Sequence, residues 1–131
     1  MSIRIVRLGS ERSPNEGIRI GTVRRPPRGV PKSDYAKRNF FDVWLPTLAP
    51  SEPLLKAAQA QLGDERAWKT FVRKYRAEMK TPDNRALLAT LAALSHHSGF
   101  SVGCYCADEA RCHRSVLRDL LVEHGADVDR R

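Results

Sequence analysis

Long apolar segments are absent from this chain of 131 residues. No stretch approaches the roughly 20 consecutive apolar residues that a membrane-spanning helix needs, and no apolar run near the N-terminus resembles a signal peptide. We therefore expect a cytoplasmic protein with no membrane partner. An apolar content of 41% is normal for a globular chain, and the length suits a single domain over residues 1–131 with one hydrophobic core.

Cysteine is scarce, and its placement excludes a disulfide-stabilised framework. All three cysteines lie close together, at positions 104, 106 and 112. Secreted disulfide-rich proteins carry an even number of cysteines spread along the chain, so reduced thiols or metal ligands are expected here instead. The value of these cysteines is therefore chemical rather than architectural.

Acidic residues are fewer than basic ones. The chain has 15 Asp and Glu against 23 Lys and Arg, which gives a formal net charge of +8. One segment is dense in basic residues and carries aromatic residues among and after them: Arg19, Arg24, Arg25, Arg28, Lys32, Tyr35, Lys37, Arg38, Phe40 and Phe41. This composition is typical of a groove that follows a phosphate backbone, or of a solvated loop whose aromatic side chains turn inward.

Short β-branched segments and amphipathic segments follow one another along the chain. Residues 3–8, 17–23 and 100–106 are predicted to be strands. Residues 64–79 carry a single apolar stripe that predicts a helix, and helix-start residues or apolar periodicity predict three more at 51–62, 81–98 and 112–124. Residues 24–31 are a loop because they contain three prolines. Residues 43–45 are expected to cover one side of the core.

This order of elements predicts an α/β protein, a small Rossmann-like layered domain with a mostly parallel sheet flanked by helices. In such sheets, ligands bind beyond the carboxyl ends of the strands. Cys106 lies at such an end, and the helix that starts near Cys112 would direct free N–H groups and its positive dipole end to the same crevice. The sequence therefore predicts a site where this strand meets the last helix.

Several segments resemble one known family, and together they span nearly the whole length. They are residues 17–25 and 27–30, Trp44-Leu45, Ala49-Pro50-Ser51, the aromatic helix with Trp68, Phe71, Tyr75 and Glu78, and the motif of Cys104, Cys106, Cys112, His113 and Arg114. The chain resembles the domain of unknown function 488 family, which includes the YeaO-like proteins. The resemblance implies an α/β Rossmann-like fold, and the family name records that no activity is assigned.

Four interpretations of the cysteine segment stay open, and the first is a thiol-based active or anion-binding site. Its catalytic residues would be Cys106, Cys112, His113 and Arg114. Cys112 at the helix start would be partly thiolate because of the dipole, Arg111 and Arg114, and His113 would carry protons. The spacing from Cys106 to Arg111 is one residue short of the phosphatase signature, which argues against phosphatase chemistry.

The other three interpretations need no nucleophile. The three cysteines and His113 could bind zinc, but Cys112 and His113 are adjacent and the Cys-x-Cys spacing is tight, so we predict no metal ligand and no cofactor. A disulfide between Cys106 and Cys112 would make the segment a redox site. In the last interpretation the cysteines are small buried residues, and Arg114 ties the helix to its neighbour.

An anion is expected between the proline-rich loop and the last helix. Arg25, Arg28 and Gly29 follow the second strand, and Ser115 opens the helix at the same edge of a parallel sheet. Backbone donors and a guanidinium would hold phosphate or sulfate there without a metal.

We therefore predict an enzyme or ligand-binding module that uses this site for a phosphorylated small molecule or a nucleic-acid-related compound. The alternative is a non-catalytic basic nucleic-acid-binding accessory protein, in which residues 24–38 bind and the cysteines are structural. A second alternative is a thiol redox or zinc-binding protein. Asp108 and Glu109 are expected to be loop charges rather than a catalytic carboxylate pair.

Overall fold

The computed structural model describes residues 2–106 and 111–129 of the chain. The strands in these ranges are β1 (Ile3–Arg7), β2 (Ile18–Gly21), β3 (Val43–Trp44) and β4 (Phe100–Cys104). The α-helices are α1 (Glu52–Ala60), α2 (Glu65–Glu78), α3 (Pro82–Leu94) and α4 (His113–Glu123). Two short 3-10 helices lie at Lys32–Asp34 and Pro46–Leu48. Within the described ranges, no helix combines the length and the apolar character needed to cross a bilayer.

The strands form one sheet in the order β1-β4-β2-β3, and every neighbouring pair is parallel. β4 lies between β1 and β2, and all five of its residues are buried. Continuous burial is typical of a parallel strand covered on both faces. The predicted α/β class with a parallel sheet is therefore confirmed, and β4, which leads into the cysteine segment, is a central strand.

Gly103 allows β1 and β4 to approach closely at the carboxyl end of the sheet. A Cβ atom at this position would lie 2.5 Å from the carbonyl oxygen of Val6, so no larger residue fits without a shift of the backbone. The carbonyl oxygen of Gly103 accepts hydrogen bonds from both the amide and the hydroxyl of Thr22, each 3.0 Å long. These bonds extend the pairing of β2 with β4 and fix the backbone next to Cys104.

Helices α2 and α4 supply much of the core beneath the sheet. The predicted apolar stripe of α2 is confirmed, because Phe71, Tyr75 and the C-cap residue Met79 are all buried. Full burial of an aliphatic or aromatic side chain contributes about 1.5–3 kcal/mol to stability. The Tyr75 hydroxyl donates a hydrogen bond of 2.7 Å to the carbonyl oxygen of Leu48, so its polar group is satisfied. The inner face of α4 buries Val116, Leu117, Leu120 and Leu121.

A second core cluster lies at the carboxyl edge of the sheet. It consists of Leu8, Val23, Phe41, Cys104 and Cys112. Tyr35 and Phe40 pack against this cluster, and the rings of Tyr35 and Phe41 meet edge to face with centroids 5.1 Å apart. The aromatic residues of the basic segment therefore turn toward the protein, and the two buried cysteines form part of the floor beneath them.

The expectation that residues 43–45 cover the core is wrong for Val43 and Trp44. They form the edge strand β3 and are 47% and 43% exposed. Their backbone pairs with β2, and the Trp44 indole N–H donates a hydrogen bond of 2.8 Å to the carbonyl oxygen of Val23. Strand pairing and this hydrogen bond hold the segment, and only Leu45 packs against the core.

Arg19 does not belong to the basic surface in which the sequence places it. Its side chain is fully buried and donates hydrogen bonds of 2.7 and 2.9 Å to the two carboxylate oxygens of Glu16. It also reaches the carbonyl oxygens of Ser10 and Asn39. Glu16 accepts a further hydrogen bond of 2.8 Å from the hydroxyl of Ser101 in β4. This buried ion pair ties two loops to the central strand.

Candidate functional site

The three cysteines converge where β4 ends and α4 begins. Their sulfur atoms all lie within 4.8 Å of one another. Cys104 is the last residue of β4 and Cys112 is the N-cap of α4, and each is only 2% exposed. Cys106 is exposed. The fold therefore places one accessible thiol next to two buried ones. None of the three cysteines forms a disulfide in the structure.

The backbone fixes the positions of the two buried thiols. The carbonyl oxygen of Cys104 accepts a hydrogen bond of 2.8 Å from the Leu8 amide, which continues the β1–β4 ladder beyond its last pair, Arg7 with Cys104. The carbonyl oxygen of Cys112 accepts hydrogen bonds from both the amide and the hydroxyl of Ser115, at 3.1 and 3.0 Å. Ser115 therefore closes the first turn of α4, and its predicted role in anion binding stays a prediction.

The three thiols differ in acidity. Hydrogen bonds from Cys104 and Cys112, together with the charge of Arg114, lower the pKa of Cys106 far below its usual value. The pKa of Cys104 is raised strongly by its hydrogen bonds with Cys106 and Cys112 and by burial. A hydrogen bond with Cys104 favours the thiolate form of Cys112. The hydrogen bond with Cys106 opposes it, as does burial, and the pKa of Cys112 rises to about 11. Cys106 is therefore the thiolate of the cluster.

The expectation that Cys112 is the thiolate is wrong. Its sulfur is buried among apolar neighbours, where a charge is poorly solvated. Arg111, one of the two cations expected to stabilise it, is bound elsewhere: its guanidinium pairs with Glu65 and lies over the Trp68 ring, 5.6 Å from the centroid. The helix start supplies the Arg114 amide to Cys112, but this contribution does not outweigh burial.

Arg114 is a buried cation beside the thiolate. Its side chain is only 4% exposed, and Nη2 donates a hydrogen bond of 2.6 Å to the carbonyl oxygen of Cys106. Within the described part of the chain, its Nε has no hydrogen-bond partner. Among the carboxylates of residues 2–106 and 111–129, none forms an ion pair with this guanidinium. Asp108 and Glu109 lie outside the described residues.

His113 is buried directly behind the thiols. Its Nε2 lies 2.7 Å from the carbonyl oxygen of Thr22, so Nε2 carries the proton, and Nδ1 lies 3.8 Å from the sulfur of Cys112. Burial lowers the pKa of His113 to about 4, so the ring is neutral at physiological pH. The ring therefore positions Cys112, while its predicted role as a proton carrier stays a prediction.

An arginine-lined groove of about 570 Å³ opens onto Cys106 and His113. Its other walls include Phe40, Tyr105 and the loop from Val23 to Arg28. Among the described residues, Arg28 forms no hydrogen bond or ion pair, and it is exposed. Arg25 is also exposed and pairs with Glu52 at 2.6 Å.

Gly29 and the other arginines of the basic segment have different environments. Gly29 has a φ of 70° and faces open space, which allows the loop to turn there without steric cost. Arg24 donates to the carbonyl oxygens of Pro50 and Ala49, so it holds the groove wall together. The guanidinium of Arg38 lies 5.9 Å from the centroid of Phe40. Arg25, Arg28 and Cys106 line one groove, whereas Gly29 and Ser115 are not among its lining residues. The anion site of Arg25, Arg28, Gly29 and Ser115 stays a prediction.

A smaller cavity of about 110 Å³ also reaches the thiols. Trp68, Phe71 and residues of α1 line it, together with Cys106, Cys112 and His113. The rings of Trp68 and Phe71 stack with centroids 5.3 Å apart. Cys106 therefore lines both this apolar cavity and the arginine-lined groove.

The sulfur cluster could hold one soft metal ion, because thiolates are preferred zinc ligands. His113, which the sequence suggests as a fourth ligand, is not part of this cluster. A structural zinc site usually has four protein ligands. Within the described parts of the chain, the cluster offers three.

Tyr105 is the residue of the site that the sequence reasoning missed. Its hydroxyl donates a hydrogen bond of 3.0 Å to the carbonyl oxygen of Arg25. Its ring packs edge to face against the ring of Phe40, with the two centroids 6.3 Å apart. It therefore joins the strand end to the proline-rich loop. Its place between Cys104 and Cys106 was the available signal, because a residue that follows a central strand lies at the ligand-binding edge.

A comparison with family models decides the relationship to known proteins. The model of the Active DUF488-N3 subclade matches residues 3–125. The chain belongs to the DUF488 family, the family of domain of unknown function 488. The match confirms the resemblance seen in the sequence, and the DUF488 region runs from β1 to the residues after α4, so it includes the three cysteines. No curated protein and no solved structure matches the chain.

Proposed function

We propose that this DUF488 protein is an enzyme or ligand-binding module that takes a phosphorylated or nucleic-acid-related compound into its arginine-lined groove and presents it to Cys106. The observation that carries this proposal is the environment of Arg114, a buried guanidinium that adjoins an exposed thiol and whose Nε has no hydrogen-bond partner among the described residues. The remaining support comes from the shape and the charge of the groove.

A buried charge requires a counter-charge. Leaving an ion buried and unpaired costs several kcal/mol, so such groups are normally paired. No described carboxylate pairs with Arg114. The thiolate of Cys106 supplies one negative charge next to it, and the positive end of the α4 dipole favours an anion at the same place. This environment suits a thiolate nucleophile and an anionic ligand.

The groove suits a compound of nucleotide size. Its volume of about 570 Å³ lies in the range of roughly 300–1,000 Å³ that is typical of small-molecule sites. Arg28 and Arg25, which line it, are suitable donors for phosphate oxygens. Phe40 and Tyr105 offer apolar surface on which a planar ring can pack.

In this proposal the residues have distinct roles. Cys106 attacks an electrophilic atom of the bound compound, because the thiolate is the reactive form of cysteine. Arg114 stabilises that thiolate, and His113 holds Cys112 in place beneath it. A cytoplasmic location is part of the proposal, since a reducing compartment keeps the thiol free. The partner is a phosphorylated small molecule or a nucleic-acid component, and no membrane is involved.

Titration of labelled protein tests the proposal. Inorganic phosphate and then adenosine monophosphate are added while amide chemical shifts are followed. We expect the amides of Gly29, Tyr105, Cys106 and residues 112–115 to respond at millimolar phosphate, and the nucleotide to bind more tightly. Arg28→Ala should weaken both, whereas Arg73→Ala on the exposed face of α2 should change neither. An absence of any response in these amides would contradict the proposal.

A further inference from the structure

We propose that the three cysteines also form a peroxide-responsive switch, in which Cys106 is oxidised by a hydroperoxide and then forms a disulfide with Cys112, while Cys104 remains reduced. This function is separate from ligand binding, since it needs no compound in the groove. It rests on the arrangement of one exposed thiol within 4.8 Å of two buried ones.

Cys106 is the residue that meets the oxidant. It is exposed, whereas Cys104 and Cys112 are each only 2% exposed. Arg114 adjoins it and favours the thiolate, which is the form that reacts with peroxides. Susceptible cysteines are generally accessible, acidic and placed next to a second cysteine that resolves the oxidised form. Cys106 has all three properties.

Cys112 is better placed than Cys104 to resolve the oxidised form. Cys104 belongs to the central strand, where its carbonyl accepts from the Leu8 amide and its backbone pairs with β1. A shift of Cys104 would disturb that ladder. Cys112 is the N-cap of α4 and lies outside the sheet, and its side chain forms no capping hydrogen bond. A rotation of its side chain gives up the contact of 3.8 Å with Nδ1 of His113 but breaks no strand pairing.

The chemistry balances with one equivalent of hydroperoxide. The Cys106 thiolate attacks the terminal peroxide oxygen, the O–O bond breaks, and the departing alkoxide or hydroxide takes up a proton, which leaves a sulfenic acid. The thiol of Cys112 then loses its proton and its sulfur attacks the sulfur of Cys106. The S–S bond forms, the S–O bond breaks, and water leaves. Two thiols and one hydroperoxide thus become one disulfide, one alcohol or water molecule from the peroxide, and one further water.

The disulfide would switch off the exposed thiol. It removes the negative charge beside Arg114 and draws the sulfur of Cys106 toward the buried cluster. The nucleophile is then absent from the groove, while the arginines on the groove rim are unchanged. Oxidation should therefore remove thiol reactivity at Cys106 without removing phosphate binding at Arg28.

Thiol counting on the full chain tests this inference. Reduced protein, with three cysteines, is treated with a small excess of hydrogen peroxide, denatured and titrated for free thiols. We expect the count to fall from three to one, a Cys106–Cys112 linkage in peptide mass spectra, and full recovery with dithiothreitol. Survival of all three thiols, a linkage that includes Cys104, or a disulfide between two chains would each overturn the inference.

Three variants separate the steps. Cys104→Ser is the matched control and should still form the disulfide. Cys112→Ser should stop at the sulfenic acid, which dimedone traps at Cys106, and Cys106→Ser should lose no thiol. The buried variants could fail to fold, but the linkage mapped in the natural sequence decides the question without them. Because no ligand is involved, a failed phosphate titration would count against the proposed function and not against the switch.

Discussion

The guanidinium of Arg114 donates a hydrogen bond of 2.6 Å to the carbonyl oxygen of Cys106, and so joins the first turn of α4 to the segment that follows β4. This contact places a buried positive charge beside the exposed thiol of the cysteine cluster. This charge adds to the hydrogen bonds from Cys104 and Cys112, which are the larger causes of the low pKa of Cys106.

Replacing Arg114 should therefore reduce the reactivity of Cys106. Arg114→Gln removes a charge that adds to the hydrogen bonds from Cys104 and Cys112 in lowering the pKa of Cys106. The midpoint of its titration should therefore move to higher pH, and at any pH where the thiol is mostly protonated the thiolate fraction should fall by a factor of about ten for each pKa unit lost. Rates of iodoacetamide alkylation measured between pH 4 and pH 9 report this change. In the natural protein the rate should stay high well below pH 8.5, the usual value for a free cysteine.

The conservative variant is the control for that experiment. Arg114→Lys keeps the charge and loses the fixed geometry, so it should retain much of the reactivity. Circular dichroism must show that both variants fold. If the alkylation profile of folded Arg114→Gln matches that of the natural protein, Arg114 does not stabilise the thiolate.

The sequence was sufficient to predict the fold class and the position of the cysteine cluster at the end of β4. The β-branched segments near Ile3 and Ile18 form β1 and β2, and the apolar stripe through Phe71 and Tyr75 forms α2, because these patterns depend on local periodicity and burial of one face. The site followed from the topological rule that ligands bind where a central strand ends. The cysteine motif after β4 lies at that place.

The properties of individual side chains could not be predicted in the same way. Cys106 and Cys112 look equivalent in the sequence, and only the folded structure shows that Cys112 is buried in an apolar cluster while Cys106 is exposed beside Arg114. Arg111 likewise looks like a partner of the thiols, but it pairs with Glu65 from α2. Both distinctions depend on contacts between elements that are distant in the sequence.

The buried pair of Glu16 and Arg19 should make stability depend on pH. Burial alone would raise the pKa of Glu16, but hydrogen bonds from Arg19 and Ser101 and the charge of Arg19 outweigh it and lower the pKa from 4.5 to about 2. A carboxyl whose pKa is lowered by folding stabilises the folded state above its unfolded pKa. This contribution, about 3 kcal/mol, is complete above about pH 5 and is lost as the pH falls from about 4.5 toward 2.

Urea unfolding of Glu16→Gln at two pH values measures this contribution. At pH 7 the substitution should lower the free energy of unfolding by about 3–5 kcal/mol, because it leaves the Arg19 charge buried and unpaired. At pH 3 the difference from the natural protein should shrink. Glu11→Gln, at an exposed position in the same loop, should have little effect at either pH. Equal losses at pH 7 and pH 3 would show that the carboxylate charge is not what stabilises the pair.

Purified protein should carry clearly less than one zinc ion per chain. The cluster offers three described sulfur ligands rather than four. The raised pKa values of Cys104 and Cys112 mean that both hold protons at neutral pH, and a metal would have to displace them. Elemental analysis of protein prepared without chelators checks this. Stoichiometric zinc that Cys104→Ser or Cys112→Ser abolishes would contradict the prediction and favour the metal interpretation.

Glu52 should limit anion binding in the groove. It pairs with Arg25 at 2.6 Å, whereas Arg28 is free among the described residues, so Arg28→Ala should weaken phosphate or nucleotide binding more than Arg25→Ala does. Glu52→Gln should free Arg25 and strengthen binding by up to about fivefold, since an exposed ion pair is worth at most about 1 kcal/mol. Isothermal titration with adenosine monophosphate measures these changes, with Glu11→Gln as the control for an acidic charge lost at an exposed residue that does not line the groove.

Salt dependence then decides whether the groove also follows a nucleic acid backbone. For a single-stranded oligonucleotide, each phosphate contact contributes a slope of about −0.7 to the logarithm of affinity against the logarithm of salt concentration. Replacing Arg25 and Arg28 together should therefore flatten the slope by about 1.4 if both contact phosphates. The double variant Arg66→Ala and Arg73→Ala, on the exposed face of α2, should leave the slope unchanged. If the α2 variant flattens the slope and the groove variant does not, oligonucleotides bind to a different face, and the groove serves small phosphorylated compounds alone.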